Sequence, residues 1–221
     1  MMDDWDNYWT KKQKIHMDAY DCIAIYYRKF IIKPYLKKYI TKYFDKNSKI
    51  LHAGCGSGQV EEEIEGATFP VIGMDISPNA LEVYRRYHTD PNLILGDILA
   101  IAIKGESLDG IYNLGVMEHF SENEMHTILL EYHRILKPDG VAVLFIPPEY
   151  GSTVFFFKIV HYVLNSVLKR NIYFQPPEPS RVKSKRWIAW IIQSAGFELI
   201  ETGFAPNDFF TYMVVVIKKK K

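Results

Sequence analysis

The 221-residue chain predicts an α/β fold, a mostly parallel Rossmann-like sheet with helices on both faces and an antiparallel pair of strands at its end. Three observations predict it. From Lys49 onward, short apolar runs alternate with segments of helical periodicity, the pattern of a doubly wound sheet. The first such run leads straight into the glycine-rich turn Gly54-Cys55-Gly56-Ser57-Gly58. Near the end, residues 197–204 and 210–217 form two strand-like runs separated by a short loop containing Ala205-Pro206-Asn207-Asp208, close enough in sequence to pair antiparallel.

Taken in order, residues 10–33 carry Ile15, Ala19, Cys22, Ile23, Tyr26 and Phe30 at helical spacing. Pro34 opens a second helix with Leu36, Tyr39, Ile40, Tyr43 and Phe44 on one side, and Asp45-Lys46-Asn47-Ser48 is a turn. Residues 50–53 are the first strand, followed by the glycine turn and a short helix through Val60 and Ile64. Residues 71–74 are the second strand, ending at Asp75. Ser77-Pro78 supplies an N-cap and a first-turn proline, with Leu81 and Tyr84 facing inward. Residues 93–95 are the third strand, followed by Gly96-Asp97, and 110–114 the fourth. Ser121 and Glu124 form a capping box ahead of Met125, Ile128, Leu129, Tyr132, Ile135 and Leu136. Lys137-Pro138-Asp139-Gly140 stops that helix, and 141–146 is a fifth strand with the unbroken apolar character of a sheet centre. Trp187, Ile188, Ile191 and Ile192 mark one more helix face. The closing Lys218-Lys219-Lys220-Lys221 reads as a solvated tail.

The composition excludes several classes. A formal net charge of +1 gives no overall field to recruit nucleic acid or an anionic membrane, so no nucleic-acid partner is expected beyond what a local patch would hold. The two cysteines, Cys22 and Cys55, make no disulfide framework and suit a reducing compartment. The start Met-Met-Asp-Asp-Trp lacks the layout of a secretory signal, and the apolar stretch 141–164 is interrupted by Pro147, Pro148, Glu149, Lys158 and His161. No transmembrane segment is expected, and the cytoplasm is the expected location. His16, His88, His126, His133 and His161 have no metal spacing, so no metal is expected.

A glycine turn between strand and helix lets the backbone approach a ligand closely. Dinucleotide folds want G-x-G-x-x-G; here the third glycine falls one place early, at Gly58, and Gln59 stands where that fingerprint needs glycine. The observed spacing suits a nucleoside with a small amino-acid tail. Asp75, 17 positions past Gly58, is placed to accept both ribose hydroxyls, or to cap the following helix. Asp97 is placed to accept from an adenine amino group, or to close a turn.

These segments resemble a known family. The runs Ile50-Leu51-His52-Ala53-Gly54-Cys55-Gly56-Ser57-Gly58, Gly73-Met74-Asp75-Ile76-Ser77, Gly96-Asp97-Ile98, Leu108-Asp109-Gly110-Ile111-Tyr112, Val116-Met117-Glu118-His119-Phe120 and Ile135-Leu136-Lys137-Pro138-Asp139-Gly140 look like the class I S-adenosylmethionine-dependent methyltransferases. Within that family they are closest to the small-molecule branch acting in quinone, glycan and lipid pathways. The resemblance implies a seven-stranded sheet ending in an antiparallel hairpin. It makes S-adenosylmethionine the methyl donor, S-adenosylhomocysteine the product and a small molecule the acceptor. The implied cofactor-binding positions are His52, Ala53, Gly54, Cys55, Gly56, Gly58, Asp75, Ile76, Asp97, Ile98, Leu114, Gly115 and Val116. The implied organisation is a single methyltransferase domain over 1–221: an N-terminal helical extension (1–47), a cofactor-binding half (48–147), a cap insertion (148–186) and a terminal helix with its hairpin (187–221). One position departs from the family, which usually has an acidic residue where His52 stands.

Methyl transfer from a sulfonium needs alignment more than acid–base machinery. A base is required only for an acceptor that keeps its proton near neutral pH. His119, after the fourth strand, is the first candidate for that base, or else a ring packed beside the cofactor. Glu118 reads as a cofactor-loop or helix-start carboxylate, and Tyr150 as a weaker acceptor-side candidate. The aromatic-rich insertion, with Phe155-Phe156-Phe157, suggests a lid over a hydrophobic or amphipathic acceptor. Arg181, Lys183, Lys185 and Arg186 read as a solvated basic loop or as a partner for an acidic acceptor. The competing function is a non-catalytic S-adenosylmethionine-binding partner subunit of another enzyme.

Overall fold

The computed structural model describes residues 2–13, 26–60, 70–151, 162, 166, 169, 178–204 and 210–220. Its elements in chain order are helix α1 (Met2–Gln13), a π-turn (Arg28–Ile32) running into α2 (Lys33–Tyr43), strands β1 (Ile50–Ala53) and β2 (Val71–Asp75), helix α3 (Pro78–Tyr84), β3 (Asn92–Leu95), β4 (Leu108–Leu114), a 3₁₀ turn (Met117–His119), α4 (Glu122–Ile135), β5 (Leu136–Ile146), α5 (Lys185–Ser194), β6 (Phe197–Phe204) and β7 (Met213–Lys219).

The strands form one seven-stranded sheet in the order β3-β2-β1-β4-β5-β7-β6. The first five pair in parallel, whereas β7 runs antiparallel to both β5 and β6. This is the α/β architecture the sequence predicts, terminal hairpin included. Strand order reverses at β1 and β4, so the carboxyl ends of those two neighbours open the crevice in which such folds bind ligands.

Alternation along the strands sorts the core into two layers. Leu51, Ala53, Ile111, Ala142, Leu144, Val215 and Ile217 face α4 and α5, where Met125, Ile128, Leu129, Tyr132, Ile188 and Ile192 complete a buried cluster. Ile50, Tyr112, Val143, Phe145, Val214 and Val216 face the other way, onto Ile32, Leu36, Tyr39, Ile40 and Phe44 of the π-turn and α2. The helices start where their caps say. The Ser77 hydroxyl accepts from the Ala80 amide with Pro78 in the first turn, and the Ser121–Glu124 capping box has both of its reciprocal bonds.

Several boundaries differ from the sequence reading. The helix expected over 10–33 includes residues 14–25, outside the described ones; a helix is present earlier, at Met2–Gln13, and the π-turn at Arg28–Ile32 leads into α2 without a break at Pro34. Val60 is described, in a turn, but the rest of the helix expected through it and Ile64, the Phe155-Phe156-Phe157 lid and the loop at 205–209 lie outside the described residues. β5 begins at Leu136 because Leu136 already pairs with Leu108, and the turn around Asp139 (φ 64°) is a bulge inside the strand. The lysine run is not wholly a solvated tail. Lys218 and Lys219 belong to β7, and Lys219 is buried, its Nζ donating to the Leu136 carbonyl at 2.8 Å and to Glu106 at 3.2 Å. Among the described residues, no helix is long and apolar enough to cross a membrane.

Phe145 sits at the middle of the second layer, fully buried and edge-on to both Tyr35 and Tyr39. Phe145→Ala is expected to lower unfolding free energy by about 3–5 kcal/mol in urea titration, because the cavity lies beneath a helix whose neighbours are already close-packed.

Candidate functional site at the carboxyl ends of β1, β2 and β4

The glycine turn leaves β1 with three residues in the left-handed region, Gly54 (φ 74°), Gly56 (φ 52°) and Gly58 (φ 63°). Side chains there would also collide. A Cβ on Gly54 would meet Val116 Cγ2 at 2.7 Å, and one on Gly58 would meet the Tyr84 and His88 rings at 2.4 and 2.5 Å. Conformation and close approach therefore both demand glycine. The Gly54 and Cys55 amides donate to the Met74 carbonyl at 2.8 and 2.9 Å, which ties the turn to β2.

Asp75 ends β2 and latches the two segments together. One carboxylate oxygen accepts from the Gly56 amide at 2.8 Å, the other from the Ser77 amide at 2.9 Å. Burial pushes its carboxyl up from the ordinary range, and the amides of Ser77 and Gly56 oppose that rise. A carboxylate can accept more hydrogen bonds than these amides supply, which is what a ribose hydroxyl donor requires. The following helix is capped by Ser77, whose Oγ accepts from the Ala80 amide at 3.2 Å, so Asp75 acts as a latch between the two turns and not as the helix cap.

The neighbouring strand ends complete the rim. The Gly96 amide donates to the Asp75 carbonyl at 3.0 Å, which sets Gly96-Asp97 beside the latch. Asp97 also closes its own turn, accepting from the Leu99 amide at 2.9 Å, and Ile98 is buried. After β4 and Leu114, Gly115 (φ 69°) hands the chain to Val116, whose side chain lies against Gly54. The structure thus sets Ala53, Gly54, Cys55, Gly56, Gly58, Asp75, Ile76, Asp97, Ile98, Leu114, Gly115 and Val116 at or just beyond the carboxyl ends of the four neighbouring strands β3, β2, β1 and β4. His52 shares the strand but faces the α2 layer. Its ring stacks on Tyr112 at 4.4 Å and is buried, which drives its pKa down to about 3, so it is neutral at every physiological pH. It presents no charge to a ligand's ammonium group.

Beyond β4, a polar cluster follows. Glu118, in the 3₁₀ turn, is buried, and its Oε2 has no hydrogen-bond partner. Loss of solvation pushes its carboxyl up to about 8, so it keeps its proton at pH 7. A Cβ on Gly115 would lie 3.0 Å from the Tyr212 hydroxyl and 3.4 Å from Glu118 Oε1, so both groups converge on that backbone. Residues 178–182 return across this end of the sheet. The Ser180 amide donates to the Glu118 carbonyl at 3.1 Å, and Arg181 pairs with Glu178 at 2.7 Å. Arg181 is therefore not in a solvated loop, whereas Lys183 is exposed and bonds Glu122. Tyr150 is 85% exposed and is not brought to the cluster.

Helix α1 closes the crevice from outside. Trp5 stands edge-on to the His119 ring at 4.8 Å, Asp6 accepts from Ser77 Oγ at 2.8 Å, and the Trp9 ring lies where a Cβ on Gly56 would meet it at 2.9 Å. One helix thus touches both lips. Sequence reasoning missed α1 in this role, together with Tyr212 and the buried state of Glu118. The signal available for Glu118 was its place directly after a strand end; burial is a tertiary fact.

The residues present fit a nucleoside carrying an amino-acid tail. Three left-handed glycines bring the turn's backbone close to its neighbours, and a carboxylate at the end of β2 stands beside that turn as an acceptor for hydroxyl donors.

Comparison with known proteins agrees with this geometry. Residues 51–144 match the family model described as a methyltransferase domain. The ubiquinone biosynthesis O-methyltransferase of Bartonella bacilliformis is 31% identical over 124 residues, 50% of this chain and 49% of that protein. The malonyl-[acyl-carrier protein] O-methyltransferase of Serratia marcescens is 28% identical over 104 residues, 47% of this chain and 40% of that one. The chain therefore spans about half the length, or less, of these curated relatives. The fold also matches that of the Burkholderia thailandensis 1,6-didemethyltoxoflavin-N1-methyltransferase, with a TM-score of 0.65 at 15% identity, over 100% of this chain and 87% of that one.

Two outcomes are expected. Asp75→Ala weakens S-adenosylhomocysteine binding at least about tenfold in calorimetry, since it removes a charged acceptor and frees two amides; an unchanged dissociation constant would put the ribose elsewhere. Glu118→Gln changes the pH dependence of stability. A carboxyl that holds its proton more tightly folded than unfolded contributes fully below about pH 4.5, and that contribution is lost as pH rises toward about 8. The glutamine variant therefore gains on the wild type from pH 5 to pH 8 in thermal melts, with no such gain if the carboxyl is ionised throughout.

Proposed function

We propose, from the premise that this chain belongs to the class I S-adenosylmethionine-dependent methyltransferase family, that it transfers a methyl group to a hydroxyl of a small, hydrophobic or amphipathic acceptor held beyond β4. The observation that carries the reading is the pairing of two unlike half-sites across one crevice. A glycine turn latched to Asp75 lies on one side, and a buried, uncharged Glu118 beside Tyr212 on the other. The cofactor supplies an electrophilic methyl on a sulfonium and needs no metal.

The chain's own residues do the rest. Asp75 fixes the nucleoside end through its spare lone pairs, and Val116 packed on Gly54 sets the depth of the crevice. Glu118, protonated near neutrality, would donate a hydrogen bond to an acceptor oxygen; in the fraction already ionised, growing as pH approaches about 8, it would take the hydroxyl's proton as the methyl passes from sulfonium to oxygen and S-adenosylhomocysteine leaves. His119 stands at the lip against Trp5, on the rim of the same crevice. Its place there supports a role in orienting the acceptor or taking its proton. Two of the relatives are named as O-methyltransferases, which supports oxygen as the methylated atom.

The test is incubation with a deuterated-methyl S-adenosylmethionine and a metabolite extract, followed by mass spectrometry. The expected outcome is S-adenosylhomocysteine together with an O-methylated product carrying the label. Binding of S-adenosylmethionine without any product in extracts that sustain a control methyltransferase would favour a cofactor-binding partner subunit. Binding of NAD alone would overturn the reading.

A further inference from the structure

The near-zero net charge conceals a strong segregation. From Tyr26 to Phe44 the chain has six cations, Arg28, Lys29, Lys33, Lys37, Lys38 and Lys42, and no aspartate or glutamate, so the remainder of the chain is net acidic. The π-turn and α2 bury Ile32, Leu36, Tyr39 and Ile40 in the core. At complementary helical positions, Tyr26, Lys29, Phe30, Lys37, Lys38 and Lys42 are exposed. The exposed face is therefore basic along the rod and aromatic at its amino end.

Two large rings stand out there. Tyr26 is 63% and Phe30 55% exposed, their centroids 4.6 Å apart, with Lys29 Nζ 6.0 Å from the Phe30 ring. Rings in water with lysines around them suit a headgroup boundary, where the ring enters the apolar edge and the ammonium stays with phosphate. Glu201 engages Lys42 and Tyr43 at the carboxyl end of α2. Among the described residues no carboxylate pairs with Lys29, Lys37 or Lys38.

We propose that this face of the π-turn and α2 docks on an anionic lipid surface, with Tyr26 and Phe30 entering the headgroup layer and Lys29, Lys37 and Lys38 facing the lipid phosphates. A rod whose inner side is already packed offers a flat strip, which matches a plane better than a groove. Its exposed cations are lysines, point charges suited to a diffuse field and not to bidentate base recognition. Arg28, the forked donor at this end, turns inward, with Nη1 3.3 Å from Gln59 Oε1 next to the glycine turn. The aromatic end of the strip is thus adjacent to the crevice. Docking would present that opening to the bilayer, from which an apolar acceptor arrives. The inference concerns the surface alone and stands whether or not the acceptor reading holds.

The test is co-sedimentation of the full chain with vesicles of phosphatidylcholine alone, or of phosphatidylcholine and phosphatidylglycerol in equal parts. Binding is expected to the anionic vesicles only, and to fall steeply between about 0.1 M and 1 M salt as the Debye length shrinks from about 10 to 3 Å. The triple variant Lys29→Gln, Lys37→Gln, Lys38→Gln is expected to bind about a hundredfold more weakly, at roughly fivefold per lysine. Tyr26→Ser with Phe30→Ser is expected to lose the salt-resistant remainder. S-adenosylhomocysteine binding and circular dichroism, unchanged in both variants, show that the fold survives. Equal binding to both vesicle types, no binding by the wild type, or undiminished binding by the triple variant would each overturn the proposal. So would displacement from vesicles by a single-stranded oligonucleotide bound more tightly, which would make the strip a nucleic-acid surface.

Discussion

The Asp75 carboxylate is the constraint on which the crevice depends. A single buried side chain accepts one amide from the glycine turn and one from the turn after β2, so two loops that follow different strands keep one fixed separation. Neither amide has another way to be satisfied without moving the backbone, and a buried carboxylate without those donors would be costly. Gly56 makes this bond from the left-handed region (φ 52°), a conformation that favours glycine. The nucleoside end of the site is thus preorganised before any ligand arrives.

The layers around the latch follow from strand alternation. Odd and even residues of β5 and β7 feed opposite faces, and each face meets a helix whose apolar stripe has the right period. Gly110 shows how closely they meet. A Cβ there would stand 2.2 Å from the Phe44 ring, so the last residue of the α2 segment presses on bare backbone of β4. That contact positions the strand whose far end carries Gly115, Val116 and Glu118. The N-terminal helical segment therefore supports the acceptor side through β4.

Much of this was legible because it is local. The Ser77-Pro78 and Ser121–Glu124 caps, the three-glycine spacing and the strand-ending Asp75 are short-range patterns whose physics is complete within a few residues. What was not legible depends on distant partners. Lys219 looks like a solvated tail until its ammonium finds the Leu136 carbonyl across the sheet edge. Helix α1 lacks a strong apolar stripe; its docking runs through Trp5, Asp6 and Trp9 to residues of three other segments. Glu118 looks in sequence like any exposed carboxylate, and its burial depends on distant segments, among them Ser180 bonded to its carbonyl and Tyr212 beside Gly115. Asp97 left two readings open, and its bond to the Leu99 amide accounts for one of them without removing its other lone pairs.

Helix α1 carries one more consequence. Its two tryptophans rest on opposite lips of the crevice, one against an imidazole and the other over the glycine turn. Their indoles leave those surroundings together whenever the helix lifts, so the chain holds its own optical reporter of opening. In a chain whose other two tryptophans, Trp187 and Trp190, are replaced by phenylalanine, emission from Trp5 and Trp9 would separate the time taken to admit or release a ligand from the time taken by chemistry, with no added dye.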